Sequence, residues 1–193
     1  VKLRLTGFGK DLIQIQKEVE NQIQLVLPKI EKYVYGFNEE TLETAIGKLL
    51  KKAGKTLALA ESCSGGYISH LVTSIPGCSD YFQGSLVPYH NILGVKEDTL
   101  ANFGAVSEET VHEMAKGIRS LFHADFGLAS SGIAGPDGGT DEKPVGTVWI
   151  ACAGDGFSEA KKLQLTQDRL LNIQLTGVAV LNLLRVCISQ YNK

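Results

Sequence analysis

The 193-residue sequence lacks the patterns that mark several common chemistries. Its four cysteines, Cys63, Cys78, Cys152 and Cys187, show no paired spacing. They read as reduced thiols, with neither a disulfide framework nor a zinc site. The four histidines, His70, His90, His112 and His123, form no H-x-x-x-H or similar ligand pattern, so no metal and no cofactor is expected. A net charge of −2 leaves no basic field for nucleic acid. No apolar run approaches the length of a membrane span, and no signal peptide opens the sequence. A cytoplasmic protein with neither nucleic acid nor membrane as partner is therefore expected. No Walker lysine follows Gly65-Gly66, and G-x-G-x-x-G spacing is absent, which argues against a P-loop NTPase and a dinucleotide-binding Rossmann domain.

What is present is ordinary in amount: 44% hydrophobic and 21% charged residues suit one medium domain with an appendage. The chain is organised around Thr56–Gly66, TLALAESCSGG. Thr56–Ala60 reads as a buried strand, Ser64-Gly65-Gly66 as a tight turn, and Tyr67–Val72 as the start of a helix. Strand, small-residue turn and helix together aim backbone N–H groups at an anion and hold a hydroxyl at an accessible bend. The same pattern also describes an ordinary turn with a serine cap.

Ahead of this stretch, Val1–Thr6 alternates as a strand does, and Leu12–Ile30 has the spacing of an amphipathic helix that Pro28 ends or bends. Tyr33–Tyr35 suggests a short strand. One strand and one helix bury no core, so residues 1–37 are expected to be the tail of an upstream domain or an arm on a partner. A main domain over 38–193 follows. Its helix from Leu42 ends near Gly54, with Asn38 or Thr41 as cap. Further strands are expected at Gly84–Tyr89, Phe126–Ser130, Pro144–Cys152 and Glu159–Thr166. Helices are expected at Asp98–Phe103, after the Ser107 cap, and from Arg169 to about Gln190 behind Asp168. The alternation predicts an α/β fold, a three-layer α/β/α sandwich around a mixed, mostly parallel sheet of about five strands. Ligands sit beyond the carboxyl ends of strands in such sheets, where Glu61–Gly66 and Ser131–Thr140 converge.

Ser62, Cys63 and Ser64 are adjacent nucleophile candidates, and the residues alone leave the choice open. A base is needed. His90 lies after a strand, His70 reads as a packed or surface residue, and a lysine of lowered pKa is the other route. Ser131 and the N–H groups of Gly132 and Gly135 suit a carbonyl or phosphate. Arg169 at a helix start suits an oxyanion, or is a solvated charge beside Asp168.

Four segments, AESCSGG (60–66), GAVSEET (104–110), SGIAGPDGGT (131–140) and EKPVGTVWIA (142–151), together resemble the C-terminal domain of the CinA family. The resemblance covers roughly residues 38–190. The first segment resembles the end of the region preceding that domain in longer CinA proteins. It implies a fragment whose upstream domain, a molybdopterin-cofactor-binding-like fold with ADP-ribose pyrophosphatase activity in some members, is absent. The resemblance implies a metal-independent amidohydrolase of pyridine nucleotide salvage. Its substrate is nicotinamide mononucleotide, hydrolysed at the carboxamide to nicotinic acid mononucleotide and ammonia. Ser62 matches the family nucleophile. Ser131 would help hold the amide or support the nucleophile, Ser64, Gly65 and Gly66 would lie beside it, Tyr89 would line the pocket, and Arg169 would bind the phosphate. A homo-oligomer, a homodimer in particular, is expected.

One departure bears on activity. Family members carry a lysine after the Tyr89 position that looks like the general base. Here the segment Tyr89–Val95 is several residues shorter and holds no lysine. Lys96 or His90 takes over, or a mobile loop is omitted from the sequence, or the chain is a binding module that does not hydrolyse the nucleotide.

Overall fold

The computed structural model describes residues 2–88 and 95–191, which fall into two compact units divided between Glu39 and Glu40. The first is built on α1 (Leu12–Ile30). Asp11 starts this helix by accepting from the N–H groups of Ile13 (2.9 Å) and Gln14 (3.2 Å). Pro28 is carried inside it, two residues before its end. Two expected strands are not formed. Lys2–Thr6 pairs with no strand among the described residues, and Glu31–Tyr33 is a single 3-10 turn. Alternation gives a segment two unlike faces, but a strand also needs a hydrogen-bonding neighbour.

The second unit is a five-stranded sheet between two helical layers. Its elements run α2 (Leu42–Ala53), β1 (Leu57–Glu61), α3 (Tyr67–Thr73), β2 (Phe82–Leu86), α4 (Glu97–Phe103), α5 (Glu108–Leu121), β3 (Phe126–Gly132), β4 (Thr147–Gly154), β5 (Phe157–Gln164) and α6 (Arg169–Tyr191). The expected caps are in place. The Thr41 hydroxyl accepts from the Thr44 N–H, that of Ser107 from the Thr110 N–H, and Gly54 ends α2 in a left-handed conformation.

Strand order is β2-β1-β3-β4-β5. β1 pairs parallel with β2 and β3, while β3–β4 and β4–β5 are antiparallel, so β4 alone is reversed. From β1 the chain moves to one side to form β2, then returns to the other side to form β3. That reversal falls beyond the carboxyl ends of β1 and β3, the place where α/β sheets hold ligands.

The two faces of the sheet are unlike. Leu57, Leu59, Phe126, Leu128, Val148 and Ile150 pack under α2, α3 and α6. Burying each such side chain is worth about 1.5–3 kcal/mol. The other face is mostly alanine, Ala58, Ala60, Ala129, Ala151 and Ala153, with α5 against it through Val111, Met114, Ala115 and Ile118. Small residues let α5 lie close: a Cβ on Gly127 would stand 2.1 Å from the Ala115 carbonyl oxygen.

α6 corrects the reading of apolar runs. By length and composition alone it is long and apolar enough to cross a membrane, with a mean hydropathy of 1.6. Here Val180, Leu181, Leu184 and Cys187 are wholly buried in the core. Asn172, Thr176 and Arg185 break the run in sequence, and the helix is apolar around its circumference, so that Leu170, Leu171, Leu175 and Val178 stay exposed while the opposite side enters the core.

Candidate active site

β1 brings Glu61 and, just after it, Ser62 to this end of the sheet. Glu61 pairs with Ser130 of β3, and the Ser62 N–H donates to the Ser130 carbonyl oxygen at 3.0 Å. The chain then turns sharply. Gly65 N–H donates to Ser62 O (3.1 Å) and Tyr67 N–H to Ser64 O (3.0 Å). Gly65 and Gly66 take φ of +60° and +93°, which a Cβ would penalise.

Glu61 is fully buried, and five hydrogen bonds satisfy its carboxylate. Ser64 Oγ (2.8 Å), Gly66 N–H (3.1 Å) and Ile68 N–H (3.0 Å) donate to Oε2. The Ser69 N–H (2.8 Å) and its hydroxyl donate to Oε1. The expectation that this turn offers its helix start to an anion needs correcting: the protein's own carboxylate already occupies it. A buried charge is tolerated only with such pairing.

Ser64 Oγ also lies 2.7 Å from Ser130 Oγ. Because Ser64 gives its proton to Glu61, it accepts from Ser130. Its hydroxyl, expected beside the substrate, is thus engaged twice within the protein. Ser62 differs. It is half-buried, and its hydroxyl has no hydrogen-bond partner among the described residues. The N–H groups of Cys63 and Ser64 likewise have no acceptor among them.

Cys63, between the two serines, is buried. Burial pushes its thiol up to about 12, against smaller pulls from its own N–H, the Ser130 hydroxyl and the charge of Arg169. A thiol so held stays protonated at neutral pH and is a poor nucleophile. All four cysteines are free.

The second loop starts later than its sequence suggests. Ser131 and Gly132 still belong to β3, paired with Trp149 and Val148. Ser131 therefore points to the opposite side from Ser130. It is buried, and its hydroxyl donates to the Ala105 carbonyl at 2.8 Å. This bond ties β3 to the GAVSEET segment. Register sets Ser131 one step beyond the Glu61–Ser130 pair, in line with Ser62.

The loop after Gly132 is held by α6. Arg169 Nη1 donates to the Gly135 carbonyl at 2.9 Å, and the fully buried Asn172 donates to that of Ala134 at 2.9 Å. Asp168 caps α6 through the Leu171 N–H (2.9 Å). Arg169 and the 62–64 turn are thus brought to one end of the sheet. Tyr89 and His90 lie outside the described residues. Lys96 turns to α5, where its N–H donates to Glu113 (2.8 Å) and its ammonium lies 3.7 Å from the same carboxylate. Among the described residues, no group of three His, Cys, Asp or Glu side chains is placed to hold a metal ion.

Sequence reasoning placed Glu61 in the first loop without a role, and missed Ser130 and Asn172 as parts of this site. One signal was available: an acid that ends an otherwise apolar strand has to be answered by donors close by.

Known proteins resemble this chain in sequence and fold. The family model described as the CinA C-terminal domain matches residues 39–188. A CinA-like protein of Cytophaga hutchinsonii is 55% identical over 190 residues, which is 96% of this chain and 46% of that protein. A CinA-like protein of Amoebophilus asiaticus is 50% identical, with the same coverage of each. The chain thus spans less than half the length of these relatives. Among solved structures, the competence/damage inducible protein CihA from Agrobacterium tumefaciens superposes with a TM-score of 0.75 at 34% identity, covering 81% of this chain and 99% of that one.

Proposed function

The chain belongs to the CinA family through its C-terminal domain, and on that premise we propose that it is a metal-independent amidohydrolase acting on nicotinamide mononucleotide, with Ser62 as nucleophile. The observation that carries the reading is the state of Ser62. Among the described residues its hydroxyl is unengaged at the carboxyl end of β1, beside two N–H groups that have no acceptor. Attack on the carboxamide would build a tetrahedral intermediate whose oxyanion the Cys63 and Ser64 N–H groups can receive. Ammonia leaves, and water then releases nicotinic acid mononucleotide. Arg169 is the candidate for the nucleotide phosphate, because a guanidinium binds such an oxyanion bidentately. The reaction would belong to pyridine nucleotide salvage in the cytoplasm, carried out by a homo-oligomer.

A second reading, a nucleotide-binding module without turnover, is favoured by one observation. Among the described residues no lysine or histidine bonds to the Ser62 hydroxyl. Ammonia release from nicotinamide mononucleotide, with EDTA present and absent, separates the two. EDTA-insensitive release that disappears in Ser62→Ala is expected. Binding without release by the folded chain would establish the module instead.

A further inference from the structure

Ser130 grips the Ser62–Ser64 turn on both sides of Cys63. Its carbonyl oxygen takes the Ser62 N–H at 3.0 Å, and its hydroxyl meets the Ser64 hydroxyl at 2.7 Å. Ser64 in turn donates to Glu61 at 2.8 Å. The direction of this chain is fixed, since a hydroxyl has one proton to give and that of Ser64 goes to Glu61. Protons therefore point from Ser130 to Ser64 to Glu61. The network lies wholly inside: Glu61, Ser64 and Ser130 are each at most 2% exposed.

We propose that Glu61 and Ser130 are positioning residues for the chemistry at Ser62, acting through Ser64. The proposal rests on the serine amidohydrolase reading above. Glu61 gathers the N–H groups of Gly66, Ile68 and Ser69, which draws the start of α3 towards the end of β1. It leaves the Cys63 and Ser64 N–H groups as the donors of the turn still without an acceptor among the described residues. Ser130 then fixes where those two N–H groups and the Ser62 hydroxyl stand relative to β3. None of the three network residues gains or loses a proton in the reaction. With both hydroxyls committed in one direction, the Ser62 proton has to leave by another route.

Removing the Ser64 hydroxyl takes one donor from Glu61, removing that of Ser130 takes the donor to Ser64, and either change frees the turn to relax. A shift of about 1 Å at a reacting group costs roughly 100-fold in rate. The test compares the full chain with Ser64→Ala, Ser64→Thr and Ser130→Ala, each first checked for cooperative thermal unfolding. Two readouts are taken: steady-state ammonia release from nicotinamide mononucleotide, and the rate at which a fluorophosphonate probe labels Ser62. Ser64→Ala and Ser130→Ala are expected to lower kcat about 10- to 100-fold with KM within about twofold, the mark of a loss confined to the transition state. Labelling of Ser62 falls in parallel. Ser64→Thr keeps the hydroxyl and restores both. Folded alanine variants that retain wild-type kcat and labelling rate would overturn the proposal, as would a wild-type chain that the probe does not label. Labelling that slows in the variants while no form releases ammonia supports the positioning role and overturns the assigned substrate.

Discussion

Asn172 in the first turn of α6 donates to the carbonyl oxygen of Ala134 at 2.9 Å and is wholly buried as it does so. The same side chain donates to Thr166 O (3.0 Å) and accepts from the Thr166 N–H and hydroxyl (2.9 Å each). One amide therefore ties the glycine-rich loop to the chain that leads out of β5. Asn172→Asp would set a carboxylate against two carbonyls in a dry site. A loss of about 3 kcal/mol in urea unfolding is expected, the upper end of what an unmatched buried polar group costs.

Arg169 is anchored to Gly135 by one nitrogen, which leaves the rest of its guanidinium for a ligand. Arg169→Ala is expected to raise KM for nicotinamide mononucleotide roughly 10- to 100-fold with kcat little changed, the effect of losing a charge-assisted bond. Nicotinamide riboside, which lacks the phosphate, serves as the control. Wild type and variant should handle it alike, and an equal loss on both substrates would remove Arg169 from the phosphate site.

The thiol of Cys63 keeps its proton in the folded chain up to about 12, while an unburied thiol loses it near 9. Above pH 9 the unfolded state sheds a proton that the folded state retains. Stability fully present below pH 9 is therefore lost as pH rises towards 12, by about 1.4 kcal/mol per unit. Urea melts at pH 8 and pH 10 should show a steeper decline for the native chain than for Cys63→Ala. The variant should also keep most of its ammonia release, since a thiol held protonated is a poor nucleophile. A variant that folds yet releases none would put the sulfur in the reaction.

Gly127 faces α5 with no room for a side chain, since a Cβ there would meet Ala115 O at 2.1 Å and Arg119 Cβ at 2.8 Å. Gly127→Ala must push the helix off the sheet. The expected cost is about 3 kcal/mol, or roughly 6–12 °C in Tm for a domain of this size.

Much of the fold is legible in the sequence because the strands alternate cleanly. In LALAE, leucines at 57 and 59 face one helical layer and alanines at 58 and 60 face the other. The caps Thr41, Ser107 and Asp168 are local devices and read correctly one residue at a time. Residues 2–6 fail the same test, because pairing is a property of a neighbour and not of the segment. The site divides in the same way. Ser62 and Arg169 stand out as chemical types at the ends of elements. Glu61–Ser130 and Asn172–Ala134 link residues 69 and 38 positions apart, and no local pattern announces them. The glycines that follow Ser131 predict a loop there, whereas the β4 partner extends the strand through Gly132.

The reversed direction of β4 has a practical outcome. Since β1, β2, β3 and β5 all end on one side, the connections after Glu61, Leu86, Gly132 and Gln164 crowd that side. The β4–β5 hairpin turns at the opposite side, at Asp155-Gly156, where Asp155 is fully solvent-exposed and a Cβ on Gly156 would touch nothing. A fluorophore, an affinity handle or a pair of new chain ends introduced there would sit a full strand length away from Ser62, so the hairpin is the natural place from which to tether or report on this protein.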